Sequence, residues 1–578
     1  MKSFTDPFRA EAVGKIARLA GLSEAEVEAA LVATPRLELG DLAFPCFQLS
    51  KRERRAPAAI AAELRDKLAQ EIASAPGRLA RAEAEGPYLN LTFDRTAYAE
   101  HVLREADARG EEIGRSDEGQ GRVVAIDYSS PNIAKPFHVG HLRSTIIGGA
   151  LYRLFETLGY RPVGINHLGD WGTQFGKLIT ALKRWGSEGD LADVLALNAL
   201  YVRFHEEEKK DPALTAEARD WFRRQEAGDP EALRLWKAIR DSSLAYFHRI
   251  YDRIGARFDE YVGESFFNDK MAPVIERAQR SGLAQVSQHP PEGALVIDLS
   301  AQGITTPAML RKADGTTLYL TRDVAAAEHR QASLGFHQLL YVVGSEQSLH
   351  FQQLFKVLEL LGHPWAAACV HVAFGRVKGM SSREGNVIYL EALLDEARDR
   401  ALRNMRENIE KRPDLEDDVE VAEAIGSAAI YFSDLANKRI KDYVFDWDRA
   451  ISFEGDTGPY LINAHARIAG IIRKCGVALP APGDVDYRRL SEVEAHRLVS
   501  LLAAYPRTLR AAAEDCEPSL LAGYLLDLAK ALHASYQKLR VKDEETPLAE
   551  ARLLLFTVVK RVLAGGLRIL GMRPLEKM

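Results

Sequence analysis

Two histidines three positions apart, His138 and His141, with Gly140 between them, are the residues of this sequence best suited to chemistry. They follow a loop that Pro131 and Pro136 hold extended, and they precede a helical pattern. At the amino end of a helix, unpaired N–H groups and the helix dipole attract anions such as phosphate, and both imidazoles can donate hydrogen bonds to the same phosphate. The pair could instead only cap the helix or form half of a metal site. No cysteine or acidic residue stands nearby at ligand spacing, so a metal is set aside.

A strand and a helix must position this pair. Residues 123–126 are rich in β-branched side chains, which is typical of a buried strand in a parallel sheet. After His141, apolar residues recur at helical spacing and predict an amphipathic helix that ends near Gly159. The residues of this stripe are Ile147, Leu151, Leu154, Phe155 and Leu158.

A second candidate loop spans residues 167–176, where aromatic and imidazole rings stand among glycines after the predicted strand at 163–165. Loops at the carboxyl ends of strands bind ligands in doubly wound sheets, so this loop is expected to line the same site. Residues from about 182 to 292 are charged and helical, and they interrupt the alternation of strands and helices. We interpret them as an insertion between the two halves of a nucleotide-binding fold.

The second half is predicted to resume at residues 295–299. The turn at Asp314 and Gly315 then leads into a strand and an alanine-rich helix that starts near Asp323, so that Tyr319 and Asp323 lie at the strand's end and the helix entrance. Asp323 could simply cap that helix. The neighbouring strand at 340–344 and the loop that follows it, which contains Gln347, are expected to lie beside Asp323. A ligand pocket is therefore a better interpretation of Asp323 than a helix cap.

Residues 371–386 read as a strand that enters a polar loop bracketed by glycines, which favours a mobile phosphate clamp. Lys378 and Arg383 are its candidate cations. The alternative is a β-hairpin turn with incidental charge.

Two flanking regions complete the chain. Residues 1–112 combine helices, a basic cluster at 51–55 and a half-exposed strand at 88–93, for which a solvated surface is an equally good interpretation. From about Asp417 onward strand signals vanish, and two apolar stripes predict an α-helical bundle. Tyr460 within it could stack on a base.

Composition sets broad limits. The chain has 578 residues, of which 47% are hydrophobic, and can hold about three domains. It lacks an apolar run of spanning length and a signal-type amino terminus, so we expect a cytoplasmic protein. Its four cysteines lie far apart and suggest neither disulfides nor a zinc site. The net charge of −6 neither supports nor excludes RNA binding.

Several of these stretches resemble one family. The run from Ser130 to Thr145 resembles the HIGH signature of class I aminoacyl-tRNA synthetases, in the form found in arginyl-tRNA synthetases. The loop after Lys378 is similar to the family's KMSKS loop, with Gly379 and Ser382 at the positions of its two lysines. Residues 455–467 and 571–578 are similar to the family's carboxyl-terminal domain.

The resemblance implies an ATP-dependent ligase that joins L-arginine to its tRNA through an arginyl-adenylate, with transfer to the 2′-hydroxyl of the terminal adenosine. It implies an α/β fold: a class I Rossmann-type catalytic domain (113–400, with the insertion at about 182–292), an amino-terminal α+β domain (1–112) that contacts the tRNA elbow, and a carboxyl-terminal all-α anticodon-binding bundle (417–578). Mg²⁺ would accompany ATP, and the protein would hold no structural metal. We expect a monomer without membrane contact.

The resemblance also assigns site residues. The catalytic residues are His138, His141 and Lys135, of which Lys135 looks like a lysine that compensates for those missing from the KMSKS-like loop. The arginine-binding residues are Asp127, Ser130, Pro131, Asn132, His141, Tyr319, Asp323 and Gln347. The ATP-binding residues are His138, Gly140, His141, Gly344, Lys378, Met380, Ser381 and Arg383. The tRNA-binding residues are Tyr88, Asn90, Tyr460, Asn463 and Arg467.

A guanidinium suits this arginine set because it is planar, carries five donors and has no acceptor, so its receptor must supply carboxylate, amide and phenol oxygens. Two other classes of protein stay open. A small-molecule ligase with the same nucleotidyl-transfer fold would also use paired histidines, although it has no use for a helical carboxyl-terminal domain of this size. A catalytically inactive RNA-binding paralogue would keep the terminal domains and lose the site.

Overall fold

The structure, a computed structural model, describes residues 5–75, 77–289, 292–379, 388–407 and 418–578. Its amino-terminal unit packs helices on a four-stranded antiparallel sheet of order β1-β2-β4-β3. The strands are β1 (Val32–Ala33), β2 (Leu42–Pro45), β3 (Leu79–Glu85) and β4 (Tyr88–Phe93). The helices are α1 (Pro7–Ala20), α2 (Glu24–Ala30), α3 (Phe47–Glu53), α4 (Pro57–Ser74) and α5 (Arg95–Arg109). The strand predicted at 88–93 is confirmed as β4, but its predicted half exposure is wrong, because four of its six residues are buried.

A five-stranded parallel sheet of order β12-β11-β5-β6-β7 forms the centre of the chain. Its strands are β5 (Val123–Asp127), β6 (Arg161–Leu168), β7 (Glu260–Gly263), β11 (Gln338–Tyr341) and β12 (Cys369–His371). The chain runs from β5 to β6 on one side and later returns to β11 on the other side of β5. Because β5 lies at this switch point, the loops that follow β5 and β11 share one edge of the sheet.

Helices and a smaller sheet surround these strands. The helices are α6 (Val139–Thr157), α7 (Thr173–Trp185), α8 (Val194–Glu208), α9 (Ala213–Glu226), α10 (Pro230–Ile254), α11 (Met271–Arg280), α12 (Tyr319–Leu334), α13 (Ser348–Leu360) and α14 (Leu390–Glu407). The smaller antiparallel sheet contains β8 (Ala284–Val286), β9 (Leu295–Ile297) and β10 (Ala308–Arg311). The strand after residue 123 and the helix after His138 are confirmed.

Two sequence predictions about the second half are wrong. The helix predicted to start near Asp323 begins at Tyr319, and no strand precedes it directly, because the turn at Asp314 and Gly315 follows β10 instead. The predicted insertion at about 182–292 contains β7, which joins the central sheet, so the inserted helices end at Ile254.

The carboxyl-terminal region is helical, as predicted. Its helices are α15 (Val419–Leu435), α16 (Trp447–Ala450), α17 (Gly458–Lys474), α18 (Val493–Glu514), α19 (Ser519–Ser535) and α20 (Thr546–Ile569). One strand, β14 (Tyr443–Val444), pairs in parallel with β13 (Val377–Lys378) and fastens this region to the catalytic half. Within the described part of the chain, no helix is both long enough and apolar enough to cross a bilayer.

Close packing of α6 on the start of the first loop gives a test of the fold. A Cβ added at Gly148 would lie 2.3 Å from the ring of Tyr128, whereas one added at Gly149 meets only the tip of Arg153 at 3.5 Å. We therefore expect Gly148→Ala to lower the free energy of unfolding by about 1–3 kcal/mol through overpacking. Gly149→Ala, the matched control, should raise it by up to about 1 kcal/mol because alanine favours helix. Urea unfolding of both variants measures the difference, and equal values would contradict this packing.

Candidate active site

The loop after β5 is held in an unusual shape. Ser129, Ser130 and Ala134 all adopt left-handed backbone angles, with φ of 70°, 47° and 63°. Such residues persist only where their surroundings hold them, and they cluster at functional sites.

Side chains from α6 and α10 provide that support. The backbone N–H of Ser129 donates to Ser144 Oγ at 2.9 Å, its hydroxyl lies 2.8 Å from Tyr251 Oη, and the N–H of Ala134 donates to Ser243 Oγ at 3.0 Å. The loop is thus fixed before any ligand arrives.

His138 and His141 meet at the amino end of α6, with ring centroids 4.0 Å apart. His138 is the N-cap, and its Nδ1 accepts from Gly140 N at 3.0 Å, while Nδ1 of His141 accepts from His138 N at 3.4 Å. In each neutral ring the proton therefore sits on Nε2. A Cβ at position 140 would lie 2.7 Å from the His138 ring, so this position of the His138 side chain requires glycine at residue 140.

Both rings are held neutral. Burial lowers the pKa of His141 to about 3, with His138 adding to the effect, and burial together with the charge of Lys135 lowers the pKa of His138. At pH 7 the pair therefore presents two neutral Nε2–H donors at a helix mouth, which can hydrogen-bond phosphate oxygens without carrying a charge. The Lys135 ammonium lies beside them, 5.5 Å from the ring centre of Tyr201 on α8.

Asp127, at the end of β5, is engaged by the protein itself. Its Oδ2 pairs with Arg330 at 2.7 Å, and its Oδ1 accepts from Ser130 Oγ at 2.8 Å. Arg330 is only 3% exposed and comes from α12. Asp127 and Ser130 therefore help to fix the pocket wall, and their predicted contact with arginine stays a prediction.

An acidic pocket forms beside this wall. Asp323, on the second turn of α12, points Oδ2 at Nε2 of His350, 2.7 Å away. Tyr319, at the start of the same helix, is 67% exposed, and Gln347 closes the short turn Ser345–Gln347 after β11. Gln347 follows β11 at the same edge of the sheet as the histidine loop, and Asp323 is close enough to this wall that its charge and that of Asp127 both act on Arg330.

Sequence reasoning missed Glu264 in this pocket. Its pKa is raised to about 7, mainly by burial; Arg322, whose Nη1 lies 3.3 Å from the carboxylate, opposes the rise, and Asp323 and Asp170 contribute to it. A largely buried carboxyl group whose pKa is raised toward neutral pH is a candidate functional residue. Glu264 directly follows β7, the short strand hidden in the predicted insertion, and that position is the signal that could have found it.

The remaining predicted residues of the catalytic half lie around these groups. Asn132 forms an isolated parallel bridge with Gly169 of the second loop, and Pro131 accepts a hydrogen bond from Gly169 N at 3.1 Å. Gly344 bridges to Phe374 in the same way. Lys378 lies on β13 with a side chain 65% exposed and 3.4 Å from Asp442. Met380, Ser381 and Arg383 lie outside the described residues.

The amino-terminal domain presents one of its two predicted RNA contacts. Tyr88 is exposed and packs edge-on against the exposed ring of Phe47, with centroids 5.8 Å apart. Asn90 is only 6% exposed because it lies on the middle strand β4, so the structure does not support a direct contact through Asn90. Phe47 is the neighbouring surface aromatic residue that the sequence did not indicate.

In the carboxyl-terminal bundle, Asn463 and Arg467 line a cleft of about 390 Å³. The guanidinium of Arg467 lies 4.6 Å from the ring centre of Tyr536. The other basic residues that line this cleft are Arg473, Lys474, Lys542 and Lys577. Tyr460 lies one helical turn before Asn463 on α17 and is partly buried. A basic cleft with an aromatic wall suits a phosphodiester backbone and an unstacked base.

Comparison with known proteins decides the family. The family model described as tRNA synthetases class I (R), catalytic domain, matches residues 106–447. The Arginyl tRNA synthetase N terminal domain matches residues 10–93, and the DALR anticodon binding domain matches residues 461–578.

The chain belongs to the arginyl-tRNA synthetase family.

Relatives cover nearly its whole length. An arginine–tRNA ligase of Halothermothrix orenii is 42% identical over 564 residues, which are 96% of this chain and 97% of the relative. One of Clostridium botulinum is 44% identical over 559 residues, 96% of each chain. The structure named Thermus thermophilus arginyl-tRNA synthetase superposes with a TM-score of 0.80 at 27% identity, and the match covers 99% of this chain and all of that one.

Membership of the arginyl-tRNA synthetase family confirms the α/β fold class with its amino-terminal domain and helical carboxyl-terminal domain. The match to the catalytic-domain model ends at residue 447, and the match to the anticodon binding domain begins at residue 461. The pairing of β13 with β14 joins residues 443–444 to the catalytic half. The predicted domain limits themselves stay predictions.

Proposed function

We propose that this chain joins L-arginine to its cognate tRNA at the expense of ATP. The arginine carboxylate attacks the α-phosphorus of ATP, pyrophosphate leaves, and the 2′-hydroxyl of the terminal adenosine then attacks the arginyl-adenylate. The observation that carries this proposal is the pair of Nε2–H donors on His138 and His141, which follow the strand that ends in Asp127, beside Arg330 and the carboxylate of Asp323.

The two imidazoles act on ATP by positioning and electrostatics. Donors that are already aimed at the transferring phosphate stabilise its developing charge without reorganisation, so no side-chain nucleophile is needed. Lys135 adds a positive charge beside them. Gly140, Gly344, Lys378, Met380, Ser381 and Arg383 complete the proposed ATP site.

The arginine side chain is proposed to enter the pocket of Asn132, Tyr319, Asp323 and Gln347, with Glu264 as a further carboxylate. One charge contact at about 4 Å is worth about 4 kcal/mol at an effective dielectric near 20. This acceptor set is left partly unpaired by a ligand that lacks the guanidinium fork, so lysine and citrulline are expected to be rejected.

Mg²⁺ is proposed to enter with ATP. Among the residues that the structure describes, no group of three or more histidine, cysteine, aspartate or glutamate side chains could hold a metal. Phosphate oxygens and water are the ligands this ion prefers when a protein offers no cage. When bound, it would neutralise phosphate charge.

We propose that the elbow of the tRNA contacts Tyr88. The anticodon is proposed to bind in the cleft of Asn463 and Arg467, beside Tyr460. We further propose that the protein works as a monomer in the cytoplasm.

Aminoacylation with radiolabelled amino acids tests the proposed function. We expect arginine to be attached to tRNA and lysine and citrulline to be rejected. ATP–pyrophosphate exchange, run with and without tRNA, tests whether adenylate formation needs bound tRNA, as the family resemblance implies. Charging of another amino acid would overturn the proposal.

The pKa of Glu264 gives a pH prediction. Since its carboxyl titrates near pH 7, it loses its negative charge as the pH falls, and a guanidinium then binds less tightly. We expect KM for arginine to rise from pH 8 to pH 6, by at most about tenfold per unit below the pKa, while KM for ATP stays nearly constant. Glu264→Gln should have a high KM for arginine at every pH. A KM profile of Glu264→Gln that still follows pH would exclude Glu264 as the titrating group.

A further inference from the structure

Arg143, two residues after His141 on α6, reaches away from the site into the carboxyl-terminal region. It is only 2% exposed. Its Nε lies 3.2 Å from Asp434 Oδ1 at the end of α15, and its Nη1 donates to the carbonyl of Lys441 at 3.1 Å. Its guanidinium also lies 5.3 Å from the ring centre of Tyr443. The histidine helix is therefore tied to the segment that follows α15.

The carboxylate of Asp434 joins two partners. Its Oδ2 accepts from Tyr443 Oη at 3.1 Å, so Arg143, Asp434 and Tyr443 form one buried polar group. A buried ion pair contributes little to net stability, and its best attested use is to fix one arrangement among several. The main effect of this group is therefore expected to be on the arrangement of the segments it joins, not on the free energy of unfolding.

The same segment holds the strand that carries Lys378. Tyr443 N donates to the carbonyl of Arg376 at 3.1 Å, and Phe445 N donates to the carbonyl of Lys378 at 2.8 Å. The carboxylate of Asp442 accepts from Arg376 N at 2.7 Å. A continuous set of contacts thus runs from α6 through Arg143, Asp434 and Tyr443 to β13.

We propose that Arg143, Asp434 and Tyr443 are positioning residues that set the place of Lys378 relative to His138 and His141. The inference rests on the proposed function, in which ATP phosphates lie between these two groups. None of the three is among the residues proposed to contact substrate. They act by holding two separate parts of the phosphate site in register, where small displacements cost much of the rate.

The test compares Asp434→Asn with Glu423→Gln, a control on the same helix. Glu423 pairs with Arg253 of α10 at 2.8 and 3.1 Å and makes no described contact with β13 or β14. In ATP–pyrophosphate exchange with tRNA present, we expect Asp434→Asn to lower kcat by about ten- to a hundredfold. Its KM for arginine and its Kd for tRNA should change by less than about twofold. Glu423→Gln should keep all three values.

Two further variants keep the proposal falsifiable if Asp434→Asn folds poorly. Tyr443→Phe keeps the ring and the β13–β14 pairing, removes only the hydroxyl, and should lower kcat severalfold. In a Lys378→Ala background, Asp434→Asn should lower kcat by a much smaller factor than it does in the wild type, because the ammonium that Asp434 helps to position is absent.

The positioning role would be overturned if Asp434→Asn had the same kcat as Glu423→Gln. It would also be overturned if Asp434→Asn lowered kcat by the same factor with and without the Lys378 side chain. A wild-type chain that charges a different amino acid overturns only the proposed function, since the same kcat comparison is then made with that amino acid.

Discussion

His141→Ala is expected to lower kcat for aminoacylation by about 10²–10³-fold, the usual effect of removing one preorganised donor to a developing anion. The affinity for tRNA should change by less than about twofold, because His141 lies at the mouth of α6 and not on the proposed RNA surfaces. Steady-state charging and filter binding of tRNA measure the two quantities. A loss of affinity in proportion to the loss of activity would instead favour an RNA-binding role.

The assigned tautomer makes this prediction sharper. If Nε2–H is the donor, His141→Gln, whose amide can place an N–H near that position, should keep more activity than His141→Asn, whose amide lies nearer to Nδ1. Equal activities of the two variants would contradict the assignment. The low pKa of His141 predicts in addition that the ring stays neutral throughout the working pH range.

Asp323→Asn is expected to lower kcat/KM for arginine by about 10²–10³-fold, because it removes one carboxylate contact worth about 4 kcal/mol in full. The preference for arginine over citrulline should shrink by a similar factor, since citrulline lacks the charge that Asp323 is proposed to meet. Aminoacylation with both amino acids measures the ratio.

His350→Gln is the control for this variant. It removes the imidazole 2.7 Å from Asp323 but leaves the carboxylate in place, so a loss of no more than about tenfold is expected. If Asp323→Asn discriminates against citrulline as well as the wild type does, Asp323 does not bind the substrate side chain.

The features that the sequence predicted correctly depend on neighbouring residues. The strand before Ser129 and the helix after His138 lie within one short stretch, and their signals are periodic apolar residues, β-branched residues and two prolines. The neutral state of both imidazoles and the need for glycine beside the His138 ring emerge only from the structure.

The features that the sequence did not reveal depend on distant partners or on missing local signals. The pairing of Asp127 with Arg330 joins residues far apart in the chain, so the carboxylate looked free. The start of α12 was misplaced because its N-cap is Leu318, which offers no capping side chain, whereas Asp323 looked like a cap. Strand β7 was missed because it has only four residues and contains no buried apolar run.

The left-handed residues of the first loop have a consequence on heating. Each left-handed residue costs about 1–2 kcal/mol, and hydroxyls on α6 and α10 hold the loop against that cost. Warming loosens such contacts before it melts whole helices. Catalysis should therefore fade at a lower temperature than the far-ultraviolet circular dichroism of the chain, and cooling from that interval should restore it.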